Sequence, residues 1–246
     1  MNRESLTGSE RTELLEELYK KYGKGSSGNQ KRLYLRKKYF WLFTTVGALA
    51  LKRLIDIVIS LTTLIITLPL WLIIALCIKL HDAGNVFFIS QRVGKWGKEF
   101  TLLKFRSMIL HAENVKKDLL KQNKHQSDIK FKMKEDPRVT WIGRFIRKFS
   151  LDELPQLINV LKGEMSLVGP RPPLASEVAN YTIAQRQRLD IKPGLTCIWQ
   201  INGRSEIPFN EQVNLDLEYI ESRSFWMDLV ILVKTIPAVF FGRGAY

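Results

Sequence analysis

A chain of 246 residues has room for one well-packed core and a terminal extension. Its two cysteines, Cys77 and Cys197, belong to no C-x-x-C, and its three histidines, His81, His111 and His125, have no metal-site spacing, so neither a disulfide framework nor a zinc site is supported. The formal charge of +14 is uneven, with twelve basic against five acidic residues in positions 1–53. A basic block just before the most apolar stretch reads as attraction to anionic lipid head groups. A nucleic-acid binder more often carries its charge on a folded face with interleaved aromatic residues, and that reading stays open on charge alone.

Residues 1–38 form a basic extension. A short helix with Leu14, Leu15 and Leu18 on one stripe runs into the flexible Gly23–Gly28 stretch, and six basic residues with no acid follow between 24 and 38. No apolar core precedes a small-residue cleavage site, so no secretory signal is expected. Residues 39–80 are the membrane segment. Ile57 to Ile78 is almost uncharged and longer than the roughly 20 residues a spanning helix needs. Pro69 near its middle frees the carbonyl of Ile65, which nearby hydroxyls or a neighbouring helix can satisfy. Basic residues flank both ends, Arg36 to Arg53 on one side and Arg92, Lys95 and Lys98 on the other. Both ends therefore favour the cytoplasm, and a re-entrant helix bent near Pro69 is expected over a straight span.

Residues 81–246 make the main folded domain. Val86–Gln91 and Phe100–Phe105 read as a hairpin turning at Gly94 and Gly97. Lys104 and Arg106 then share one strand face and can grip a pyrophosphate. Residues 108–135 read as a helix and a mobile loop. Val139–Phe149 is an amphipathic, interfacial helix, with Ile142, Phe145, Ile146 and Phe149 on one side and Arg144, Arg147 and Lys148 on the other. Ser150 and Glu153 have capping-box spacing, Leu154 to Leu161 repeat at helical spacing, and Gly163 stops the helix. Asp152 and Glu153 would then lie in a first helical turn, which favours an ionised carboxylate and a nearby phosphate.

Met165–Val168 reads as a strand, and Gly169-Pro170-Arg171-Pro172-Pro173 as a stiff loop aiming one guanidinium. Residues 174–190 look helical, Leu195–Ile201 strand-like, and Asn202-Gly203-Arg204 is a turn. Phe209–Glu221 is helical, and Phe225–Phe241 is apolar but too interrupted for a second span.

Ordered motifs run through four fifths of the chain. They are Lys52-Arg53-Leu-Ile-Asp56, Lys104-Phe105-Arg106-Ser-Met108, Asp136-Pro-Arg138-Val with Ile142-Gly143, Ser150-Leu-Asp152-Glu153-Leu-Pro-Gln156 and Asn159-Val-Leu-Lys-Gly163. Ser166-Leu-Val-Gly-Pro170-Arg171-Pro172, Lys192-Pro193-Gly194-Leu-Thr196, Gln200-Ile-Asn-Gly203-Arg204 and Asp216-Leu-Glu-Tyr219-Ile complete the set. In these the chain resembles the bacterial sugar transferases that begin O-antigen, capsule and exopolysaccharide synthesis, the monotopic polyprenyl-phosphate phosphoglycosyl transferases. It departs from them in carrying Leu68, where relatives often have Ser, before Pro69.

The resemblance implies an α+β, mostly helical fold: a re-entrant membrane helix and a small cytoplasmic catalytic domain with a β-hairpin and amphipathic interfacial helices. It implies Asp152 as nucleophile, Glu153 beside it, and both as ligands of Mg²⁺. Substrate contacts are expected from Lys104, Arg106, Arg144, Arg147, Pro170, Arg171, Pro172, Gln200, Arg204 and Asp216. The expected partners are a UDP-sugar donor, a polyprenyl (undecaprenyl) phosphate acceptor and an anionic membrane, with no nucleic acid and the homo-oligomeric state left open. The expected place is the bacterial inner membrane, with the catalytic domain on its cytoplasmic face. The rival reading is a non-catalytic basic membrane-binding scaffold of a polysaccharide-assembly complex.

Overall fold

The most apolar stretch folds into one long helix, α1 (Gly28–Asp82), in a computed structural model that describes residues 12, 13, 15–17, 20, 28–112, 114, 115 and 136–241. The Gly23–Ser27 linker and nearly all of the loop expected before residue 136 lie outside these. Contacts divide the chain into two units, Met1–Leu51 and Lys52–Tyr246. In the first, the described residues are helical, and Val46, Leu49 and Leu51 are exposed.

In the second unit α1 carries Pro69 within it, and Thr67 Oγ1 donates to the Thr63 carbonyl at 2.7 Å. Over Val46–Asp82 the helix is long and apolar enough to cross a membrane. Its flanking polar residues turn inward to the domain. Lys52 Nζ reaches Asp228 at 2.5 Å, Arg53 donates to the carbonyls of Val160 and Leu161 at 2.6 and 2.7 Å, and buried Asp56 accepts from the Leu167 N–H at 3.1 Å.

The hairpin forms as the alternation predicts. β1 (Phe87–Val93) pairs antiparallel with β2 (Glu99–Phe105) across a tight turn at Lys95–Gly97. Phe100 and Leu102 fall on one face of β2 and join a core with Leu157, Val160, Leu167, Ile198, Tyr219 and Ile231. Phe105 leaves on the other face and packs with Ile74, Ile78, Ile142 and Ile146, its ring against Trp71 and Phe87. That second cluster seats α2 (Trp141–Lys148), whose first turn is capped by Thr140 Oγ1 accepting from the Gly143 N–H at 2.9 Å. Trp141 and Phe145 stay exposed on its outer side.

α3 (Gln156–Lys162) ends at Gly163, whose φ of +83° permits the left-handed stop. β3 (Ser166–Val168) pairs in parallel with β4 (Gly194–Thr196). A Cβ on Gly194 would lie 2.0 Å from the Gly169 nitrogen, so glycine alone lets these backbones touch where the proline-rich loop begins. The intervening helices α4 (Ala175–Ala179) and α5 (Ile183–Arg186) are short. The strand expected over Leu195–Ile201 is corrected: only Gly194–Thr196 is extended, and α6 (Ile198–Asn202) buries Ile198 and Trp199 in the core. α7 (Phe209–Ser222) and α8 (Phe225–Phe241) close the fold, with Tyr219 Oη donating to Asp228 at 2.6 Å.

Candidate functional site

Two adjacent carboxylates anchor the site, and their local geometry differs from a capped helix. Ser150 is itself left-handed at φ +53° and its side chain makes no cap hydrogen bond. Asp152 and Glu153 form a single 3-10 turn, Leu151–Glu153, and α3 begins only after Pro155. Proline supplies no N–H and a fixed φ, so it starts a helix well and delays this one past the acids. The expected capping box is therefore absent: the Glu153 carboxylate is drawn to Lys104 instead.

Lys104 Nζ lies 2.6 Å from Glu153 Oε1 and 3.8 Å from Asp152 Oδ2. Asn159, fully buried on α3, sets this register by accepting from the Leu103 N–H at 3.2 Å and donating to the Thr101 carbonyl and Glu164 Oε2, each at 2.7 Å. Those bonds dock α3 along β2 and leave the next inward side chain of the strand, Lys104, opposite the acids. Arg53 holds the far end of α3 by its last carbonyls.

The acids behave differently. Burial pushes the Asp152 carboxyl up to about 6, opposed by Lys104 and reinforced by the charge of Glu153. Burial also acts on Glu153, but Lys104, Arg171 and Arg204 together hold it below the ordinary carboxylate range. Asp152 stays ionised near neutral pH because of its cations; the helix dipole invoked from the sequence is not its support.

Three expected arginines gather here. Arg147 is desolvated, feels both acids and donates from Nε to Ser107 Oγ at 2.9 Å. Arg171, between buried Pro170 and Pro172, acts directly on Glu153. Arg204, left-handed at φ +53° after Gly203, is partly desolvated and faces Glu153 and Asp152.

Other expected residues are placed elsewhere. Arg106 lies beyond the end of β2, and its guanidinium pairs with Asp82 at the end of α1, so it does not share a grip with Lys104. Arg144 is exposed on α2. Gln200 accepts from the buried Cys197 thiol at 3.2 Å. Asp216 is paired with Arg188 at 2.6 Å, both almost wholly buried, and Arg188 also reaches Tyr181 Oη at 2.9 Å.

The residues that motif-by-motif reading left without a role are Asn159 and Gln156. Gln156 is 3% exposed, directly after the acidic turn, and its Nε2 has no hydrogen-bond partner. Each is a polar residue set among the apolar repeats of α3, and that interruption is their one sequence signal.

Among the described residues no group of three or more His, Cys, Asp or Glu is placed to hold a metal. Two adjacent carboxylates remain, buried Asp152 and half-buried Glu153, and this donor set suits Mg²⁺, which takes one or two protein carboxylates and fills its other positions with phosphate and water.

The family model described as bacterial sugar transferase matches residues 47–242. The galactosyl transferase CpsE of Streptococcus agalactiae is 45% identical over 208 residues, 84% of this chain and 46% of that protein. The exopolysaccharide production protein ExoY of Sinorhizobium fredii is 41% identical over 198 residues, 79% of this chain and 88% of that protein. The undecaprenyl-phosphate galactose phosphotransferase of Salmonella typhimurium is 44% identical over 199 residues, 80% of this chain and 42% of that protein. The chain thus spans less than half of two of these relatives and most of the third.

Proposed function

Because the chain belongs to the bacterial sugar transferase family, we propose that it transfers a sugar-1-phosphate from a UDP-sugar to polyprenyl phosphate, releasing UMP, as the first membrane step of polysaccharide assembly. The observation that carries this reading is Lys104 set against buried Asp152 and half-buried Glu153 within reach of three arginine charges. In this reading an Asp152 carboxylate oxygen attacks the β-phosphorus. The bond from that phosphorus to the bridging oxygen breaks, UMP leaves with the electron pair, and Asp152 carries the phosphosugar as a mixed anhydride. A polyprenyl phosphate oxygen then attacks the same phosphorus and returns Asp152 as a carboxylate.

Each requirement has a residue. A carboxylate pushed up to about 6 is ionised at neutral pH yet basic enough to attack. Lys104 lies close enough to steady Asp152, while Arg171, Arg204 and Arg147 answer the charge of the diphosphate. Asp152 and Glu153 would hold Mg²⁺ together with donor phosphate oxygens, and the ion would neutralise charge on the departing phosphate.

A membrane-embedded acceptor needs its site at the head-group level, and a re-entrant α1 on the cytoplasmic face of the inner membrane supplies one. Both ends of the apolar run pack on the same unit: Arg53 and Asp56 on α3 and β3, Ile74 and Ile78 on Phe105 and Ile142. Between them Ile65, Ile66 and Leu68 are exposed. Lys52 to Ile78 is about 39 Å of helix at 1.5 Å per residue, more than a hydrocarbon core of about 30 Å. Exposed Trp141 and Phe145 add an interfacial contact.

The deciding assay incubates the chain with undecaprenyl phosphate, Mg²⁺ and a panel of UDP-sugars; UMP release is expected, and none from any donor defeats the reading. For topology, single cysteines replacing Ala50 and Leu80, with Cys77 and Cys197 removed, are both expected to resist labelling from outside intact cells. Labelling of either one from outside rules out re-entry.

A further inference from the structure

The three buried arginines among the described residues of the catalytic unit are all paired. Arg106, Arg138 and Arg188 each close on a carboxylate of their own, Asp82, Asp136 and Asp216. Arg92, on β1, is half-buried and has no ion-pair partner among the described residues. Its Nη1 donates to the Pro172 carbonyl at 3.3 Å, and the neighbouring Val93 N–H donates to the Pro173 carbonyl at 3.0 Å, so the guanidinium lies against the loop that presents Arg171. Its Nε is buried with no hydrogen-bond partner, as are Arg188 Nε and Arg106 Nη1, but those two guanidiniums have a carboxylate and Arg92 has none.

A guanidinium has five N–H donors in a planar fork, and one carbonyl engages a small part of that capacity. Burying such a cation is costly unless an anion compensates it. Burial and the charge of Arg171 pull Arg92 down to about 10, against Glu177 and Glu153. Two cations are thus brought together at the loop, Glu153 acts on both, and a phosphate offers what each lacks, several acceptor oxygens and negative charge.

We propose that Arg92 is a second phosphate-holding arginine, gripping with Arg171 a phosphate of the transfer reaction. The assignment rests on the phosphosugar-transfer reading above. The donor diphosphate and the acceptor monophosphate present the same chemistry, so the experiment has an arm for each.

The full chain, purified in detergent, is titrated calorimetrically with UDP and with uridine, and KM for polyprenyl phosphate is measured alongside. Arg92→Gln keeps a donor for the Pro172 carbonyl and removes the charge. Losing a charge-assisted contact is expected to weaken UDP by about ten- to a hundredfold, with uridine unchanged, or to raise the polyprenyl phosphate KM by a similar factor if the acceptor phosphate is the one held. Arg92→Lys is expected to recover part of the loss. If Arg92→Gln does not fold, Arg92→Lys carries the test, because it loses the fork and should weaken UDP relative to uridine or raise the acceptor KM.

Unchanged UDP affinity together with an unchanged acceptor KM overturns the proposal. So does an equal weakening of UDP and uridine with the acceptor KM unchanged, the signature of loop support alone. A wild-type chain that binds UDP through Arg92 but releases no UMP defeats the transfer reading and leaves standing only the phosphate contact of Arg92.

Discussion

Lys104 is the most informative side chain to remove, because one cation acts on both acids. Lys104→Met keeps the length and apolar stem of the side chain and deletes the charge. At 3.8 Å from Asp152, the lost attraction is about 4 kcal/mol at an effective dielectric constant of 20. That corresponds to an acid limb of the rate moved upward by as much as about three pH units. Asp152, already pushed up to about 6 by burial, then becomes mostly protonated at pH 7. Remaining cations such as Arg147 soften the change without altering its direction. The assay is single-turnover UMP release from a UDP-sugar between pH 5.5 and 9.5. The wild-type rate should fall below about pH 6, and the variant should be slow at pH 7 but recover toward pH 9. A variant with the wild-type pH profile, slowed equally at every pH, refutes the electrostatic role assigned to Lys104.

Asp152→Asn should abolish UMP release and raise stability at pH 7.5: the folded carboxyl titrates above its unfolded value of 3.8, so native stability is fullest below that value and is lost as pH rises through about 6, by up to about 3 kcal/mol. A melting temperature at pH 7.5 that stays put or falls contradicts this. Breaking the Arg188–Asp216 pair from one side, as in Asp216→Asn, leaves a buried cation uncompensated and should cost about 3–5 kcal/mol in denaturant titration. Arg188→Met with Asp216→Leu should restore much of that loss, and equal instability of single and double variants would be the contrary result. Ser150→Gly removes a left-handed side chain that caps nothing, so a gain of about 1 kcal/mol is expected; a loss in chemical denaturation would reinstate a capping role.

Where side chains answer to their chain neighbours, the sequence was readable. Alternation in β1 and β2, the glycines of their turn, the helical repeats of α2 and α7 and the stop at Gly163 are local, and each appears in the structure. The family and the acidic pair were legible for the same reason, since ordered motifs survive without coordinates. Competition was not legible. Glu153 has two possible partners by spacing and chemistry, Ser150 and Lys104, and only the docking of α3 on β2 through Asn159 brings the lysine close enough to win.

Arg106 and Asp216 follow the same logic: in the chain they are free charges, while in the fold each meets a buried or half-buried partner, Asp82 or Arg188. The sequence by itself determined which residues carry charge and which segments are apolar, because composition and periodicity are properties of short windows. Which cation each carboxylate meets was decided by tertiary structure alone, because that depends on distances set by every element packed between them.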